Sequence, residues 1–141
     1  MKILFTLDVG ATAPTRAHST DAGLDLYSLQ SATIPPGGRE LINTGVYVSI
    51  PTGYVGMICP RSGLAHKHGL TVLNAPGIID AGYTGEIKVN LHNTDCMAQY
   101  VDFGDRIAQL VIAPIADAHL VQVDTLEATE RGDNGHGSTG Q

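Results

Sequence analysis

From Glu86 to Leu91 the chain alternates strictly, with Ile87, Val89 and Leu91 on one side and Glu86, Lys88 and Asn90 on the other. A period of two marks a strand with one face on a core and the other on water, so a half-buried strand is expected here. Val46–Ile50 has the same β-rich composition, and Arg106–Ile112 and His119–Val123 add two more candidates. Met1–Val9 reads as a first strand, because Asp8 interrupts it too soon for a membrane span or a secretory leader. Between these runs stand turn signals: Pro35-Pro36-Gly37-Gly38, Pro51-Thr52-Gly53, Pro76-Gly77, Gly82, Gly85 and Gly104. No window carries the period of a long amphipathic helix, and only Ser62–His68 has room for a helical turn or two. The expected fold is all-β, a jelly-roll-like barrel of many short strands. At 141 residues it should be one domain with a core of its own.

Charge narrows the function classes. A net charge of −6 with only eight Lys plus Arg argues against a protein that grips long nucleic acid through many phosphates. The few cations must be placed rather than pooled. Five of the eight are arginines, and Arg61, Arg106 and Arg131 fall in Gly-rich or Ser-containing segments, which suits a small polyanionic ligand. Cys59 and Cys96 stand alone, without a Cys-x-x-Cys pair, as thiols of a reducing compartment would. A cytoplasmic protein with no membrane partner is expected.

Four stretches hold candidate chemistry. In Ala22–Ser28, Asp25 sits between Leu24 and Leu26 and on a strand faces away from both. Pro60–Ala65 sets Arg61, Ser62 and Gly63 just before the possible helical turn, where an anion meets backbone N–H groups. Asn74–Glu86 looks like a β-hairpin in which Ile78 and Ile79 lead to Asp80, and Gly82 and Gly85 bracket Tyr83. Gly104–Leu110 puts Arg106 and Gln109 at the start of a strand. The end of the chain, Arg131 to Gly140, adds glycines, the hydroxyls of Ser138 and Thr139, and His136. It lacks the lysine and following helix of a Walker loop. Each stretch alone also suits a plain structural role. A zinc site from His66, His68, His92, Cys59 and Cys96 matches no common ligand spacing.

Taken in order, Asp25, Arg61-Ser62-Gly63, Asp80 with Tyr83, Gln109 and the Arg131 arm resemble the five motifs of the trimeric dUTPase family, from about Asp21 to Gly140. Within it the chain is most similar to actinobacterial or phage members, in Asn74–Tyr83 and in His136 where other members carry Phe. Asn134 also replaces a usual Gly. The resemblance implies hydrolysis of dUTP to dUMP and pyrophosphate by water attacking the α-phosphorus, which limits uracil in DNA and supplies dUMP for dTMP synthesis. Asp80 would be the catalytic base. Mg²⁺ would ride on the phosphates without a direct protein ligand, helped by Asp25 through water. Arg61, Ser62, Gly63 and Gln109 would contact the phosphate chain, with Arg106 supporting them from behind. Backbone between Ile78, Ile79 and Lys88, with Asn74 nearby, would read uracil, and Tyr83 would lie against the deoxyribose and exclude UTP. Residues 1–130 would form the barrel and 131–141 an arm, mobile when the site is empty, that folds over nucleotide through Arg131, His136, Gly137, Ser138 and Thr139. The family further implies a homotrimer with sites between subunits and, for a phage-encoded member, a regulatory protein partner. The dCTP deaminases share this fold and remain an alternative, as does a binding protein on the same scaffold.

Overall fold

The computed structural model describes residues 1–134. Ten strands and one short helix follow in order: β1 (Leu4–Leu7), β2 (Gly23–Tyr27), β3 (Ala32–Ile34), β4 (Arg39–Ser49), β5 (Tyr54–Cys59), α1 (Ser62–His68), β6 (Leu70–Val72), β7 (Gly77–Ile79), β8 (Glu86–Asn93), β9 (Gln99–Val101) and β10 (Arg106–Pro114). They build two four-stranded sheets, β1-β4-β8-β6 and β2-β10-β5-β7, and a two-stranded β3-β9 sheet, all paired antiparallel. This is the all-β, jelly-roll-like architecture the turn spacing predicts.

The alternation in β8 does what its period requires: Ile87, Val89 and Leu91 are buried between the sheets with Leu26, Ile42, Ile58 and Leu110. Each such side chain contributes roughly 1.5–3 kcal/mol of burial. Helix α1 occupies the one window expected for it. It ends at Gly69, whose φ of +59° lets its N–H reach back to the Leu64 carbonyl, and His66, Lys67 and His68 fill its last turn.

One irregularity matters for the site. The β4·β8 ladder shifts register between Asn43 and Val46. Here the buried Thr44 hydroxyl donates to the Ile87 carbonyl at 2.5 Å and accepts the Val46 N–H at 3.2 Å, replacing ladder bonds that the bulge removes. Gly45 takes φ +64° at the bulge, where a Cβ would stand 2.7 Å from Ala11 and 2.9 Å from Leu29. Its carbonyl accepts the Asp8 N–H at 2.9 Å. Close by, the Tyr47 hydroxyl donates to the Asp8 carboxylate at 3.1 Å, and that bond holds the phenol above its ordinary pKa.

Two expectations are corrected. His119–Val123 forms no strand: beyond Pro114 the described chain leaves the sheets, and Leu120, Val121, Val123 and Leu126 are exposed. Among the described residues it pairs with none of the strands. Nor is Asn74–Glu86 a hairpin, because β7 pairs with β5 and β8 with β4 and β6. Residues 80–85 instead carry the chain from one sheet to the other.

Candidate active site

The candidate residues gather in two clefts that share no lining residue. The first, of about 500 Å³, lies on the outer face of the β2-β10-β5-β7 sheet. Asp25, Gln109 and Cys59 stand opposite one another across β2, β10 and β5, so their side chains share that face. Leu26, the next residue on β2, turns inward and is fully buried, as the alternation requires. Arg61 and Ser62 enter from the start of α1, beside Gly63 and the first helical N–H groups, which lack intrahelical partners.

Asp25 organises the cations of this cleft. Arg61 donates through Nε to Oδ1 at 2.9 Å, and Arg106 lies with Nη1 at 3.4 Å from Oδ2. Arg61 also donates through Nη1 to the Arg106 carbonyl at 3.1 Å. One half-buried carboxylate thus fixes two guanidinium groups and offsets the repulsion between them. Gln109 donates through Nε2 to the Pro60 carbonyl at 3.0 Å, which leaves its amide oxygen facing Gly23. A side chain at Gly23 would collide with that oxygen, so this glycine belongs to the site although its motif position did not single it out.

The second cleft, of about 320 Å³, opens between the sheets where β7 ends. Asn74, Ile78, Ile79, Asp80, Tyr83 and Lys88 all line it, together with Glu86. Asp80 follows directly on β7 and is exposed, and its carboxylate takes no hydrogen bond from the described residues. The chain then turns: the Tyr83 N–H donates to the Asp80 carbonyl at 3.1 Å, and Gly82 adopts φ +90°. The Tyr83 hydroxyl donates to the Glu86 carbonyl at 3.0 Å, and Lys88 pairs with the Glu86 carboxylate at 3.5 Å. Asn74 lies over Gly77, its Nδ2 3.3 Å from where a Cβ would stand.

Ile58 lines the second cleft and Cys59 the first. Successive residues of a strand point to opposite faces, so the two clefts open on opposite faces of β5. Arg131 joins neither; it is exposed, with Nε donating to the Asn134 carbonyl at 3.3 Å. His136, Gly137, Ser138 and Thr139 lie outside the described residues.

A cleft of anchored cations and helix N–H groups accepts a chain of phosphates; one walled by strand backbone, an aromatic ring and an open carboxylate accepts a flat ring and a reacting water. That pairing defines a nucleotide-hydrolysing β-protein. Residues 10–140 match the dUTPase family model, and the chain belongs to that family. It is 52% identical over 139 residues to the deoxyuridine 5'-triphosphate nucleotidohydrolase of Corynebacterium efficiens, covering 98% of this chain and 77% of that one. Identity to the enzyme of the same name from Mycobacterium marinum is also 52%, over 95% of this chain and 91% of the other. Among solved structures, Staphylococcus bacteriophage 80alpha dUTPase with dUPNHPP superposes with a TM-score of 0.92 at 34% identity, covering 99% of both chains.

Proposed function

We infer that the protein hydrolyses dUTP to dUMP and pyrophosphate, and that each complete site is assembled from the two clefts of different chains in a homotrimer. The observation that carries this reading is their separation: the uracil-type cleft with Asp80 and the phosphate-type cleft with Arg61, Ser62 and Gln109 open on opposite faces of one strand. A second copy brings the missing half to each. The exposed apolar side chains of Leu120, Val121, Val123 and Leu126, which follow the last strand, supply surface for such an assembly.

In the second cleft the strand backbone around Ile78 and Ile79, with Asn74, pairs with the uracil edge and leaves unmatched groups against cytosine. Tyr83 lies against the deoxyribose. Asp80 orients the attacking water and takes its proton. In the first cleft the Ser62 hydroxyl and the Gln109 amide contact the phosphates, and Arg61, steadied by Asp25 and Arg106, supplies positive charge. A Cβ on Gly63 would meet only open space within the chain, so its absence serves whatever approaches from outside.

Among the described residues, no three His, Cys, Asp or Glu side chains converge on a metal-holding point. This donor set fits an ion carried in on phosphate oxygens and water, with the free lone pairs of Asp25 accepting from its water shell. When bound, Mg²⁺ neutralises charge on the leaving pyrophosphate. A structural Mg(II) ion is described for the dUTPase of phage phi11 of S. aureus, 32% identical to this chain. We place residues 1–130 in the β-domain and 131–141 in a closing arm, where Arg131, His136, Gly137, Ser138 and Thr139 meet the bound nucleotide. No described helix is long and apolar enough to cross a membrane, and we take the protein to work in the cytoplasm. Phage dUTPases are described as controlling transfer of virulence genes, which favours a regulatory partner as a second role if this chain is phage-encoded.

Incubation with Mg²⁺ and each of the five common deoxynucleoside triphosphates tests the reading. Pyrophosphate should appear with dUTP alone; ammonia from dCTP would instead mark a deaminase. The Gly23 contact makes a finer prediction. Gly23→Ala should displace the Gln109 amide and raise KM for dUTP about 2–10-fold, the cost of one hydrogen bond, with kcat and Tm little changed. An unaltered KM would detach Gln109 from substrate.

A further inference from the structure

Tyr83 does not stand free on its loop. Its hydroxyl is held by the Glu86 carbonyl at 3.0 Å, and its ring lies against Gly85: a Cβ there would come 2.6 Å from Cζ and 3.0 Å from Cε2. Gly85 does not occupy the left-handed region, so its backbone has no need of glycine. The missing side chain serves the ring rather than the path of the chain.

Glu86 is anchored in turn. Its carboxylate is only 14% exposed; Oε1 accepts the Gly45 N–H at 2.9 Å, and Oε2 faces Lys88 Nζ at 3.5 Å. Gly45 is boxed in at the β4 bulge by Ala11, Leu29 and the Asp8 bond described above. An unbroken line of contacts therefore runs from the packed body of the sheet, through Gly45 and Glu86, to the Tyr83 hydroxyl.

We propose that Gly85 and Glu86 are positioning residues that seat Tyr83 and so set how strongly the enzyme rejects a sugar 2′-hydroxyl. The proposal rests on the reading that Tyr83 lies against the deoxyribose. Steric rejection works only if the obstructing group cannot yield. An unseated ring turns aside about its side-chain bonds and admits the larger sugar, whereas a ring pinned at its hydroxyl and fitted over a bare α-carbon has no such escape. Seating also ties the sugar-facing ring to Lys88, the cation of the same cleft.

The test compares kcat/KM for dUTP and UTP in the full chain and in five variants, with Tm recorded for each. Tyr83→Ala should lose most of the preference for dUTP. Gly85→Ala, which pushes the ring off its seat, should lower the preference about tenfold or more. Tyr83→Phe, which loses only the hydroxyl anchor, should give a smaller fall. Glu86→Ala should also reduce the preference, and Glu86→Gln, whose amide oxygen still accepts from Gly45, should restore most of it at similar Tm. If Tyr83→Ala abolishes the preference but Gly85→Ala and Glu86→Ala leave it intact, the seat is refuted and the role of Tyr83 stands. If Tyr83→Ala itself keeps the preference, both fall. Should Gly85→Ala not fold, Tyr83→Phe and the Glu86 pair decide alone: wild-type preference in all three overturns the proposal.

Discussion

Asp80→Asn is expected to lower kcat on dUTP by at least ~10²-fold, the lower end of what a positioned general base contributes, while the protein still binds dUTP. Asparagine matches aspartate in size and shape, so the walls of the cleft and the turn to Tyr83 should persist. What disappears is the ability to take a proton from water. The position suits this experiment because the carboxylate is exposed at the end of β7 and takes no hydrogen bond from the described residues, so the fold loses little with its charge. Single-turnover release of pyrophosphate, alongside calorimetric binding of a non-hydrolysable dUTP analogue, separates the two effects. A variant with wild-type kcat would remove Asp80 from the chemistry.

Deleting residues 131–141 should leave Tm and oligomeric mass unchanged and cut kcat/KM for dUTP by at least about tenfold. The sheets are complete by Pro114, and among the described residues Arg131 and Asn134 bond to each other rather than to the strands. Nothing in the strand ladders depends on them. The proposed closure, by contrast, would add the Arg131 guanidinium to the phosphates, and one hydrogen bond to a charged group is worth about 1.5–3 kcal/mol, or roughly 10–10²-fold. It would also shut water out of the site. Full activity in the truncated chain, assayed for pyrophosphate release with dUTP and Mg²⁺, would rule out the closing role. Sedimentation of the same sample would show whether assembly had suffered.

Local periodicity and turn chemistry carried most of the fold. The β8 alternation, the Ser62–His68 helix with its Gly69 terminus, and the outward turn of Asp25 between two leucines are all properties of a few adjacent residues, and all were legible in order along the chain. The errors were of another kind. Residues 74–86 have the turn glycines of a hairpin, yet which edge a strand joins is decided by partners far away in sequence, and here the flanking strands join different sheets. His119–Val123 has the composition of a strand, but composition does not choose a pairing partner, and none of the described strands takes this segment up. In the site, every motif residue of the described chain outside the arm reached one cleft or the other, while Arg131 and Asn134 reached neither. The clasp of Asp25 on Arg61 and Arg106 was hidden because it joins positions 36 and 81 residues apart. Gly23 and Gly85 were hidden more deeply, because their contribution is an empty volume that only a neighbour's side chain reveals.

Because the two clefts back onto opposite faces of β5, damage to one need not spoil the other. On the proposed reading, a chain carrying Asp80→Asn keeps a sound phosphate cleft, and a chain carrying Arg61→Ala keeps a sound uracil cleft. If sites form between chains as proposed, two such proteins unfolded together and refolded as a mixture should mend each other, since some junctions would unite the intact half of each. Separately refolded controls should stay silent, and a silent mixture would mean that each chain completes its own site.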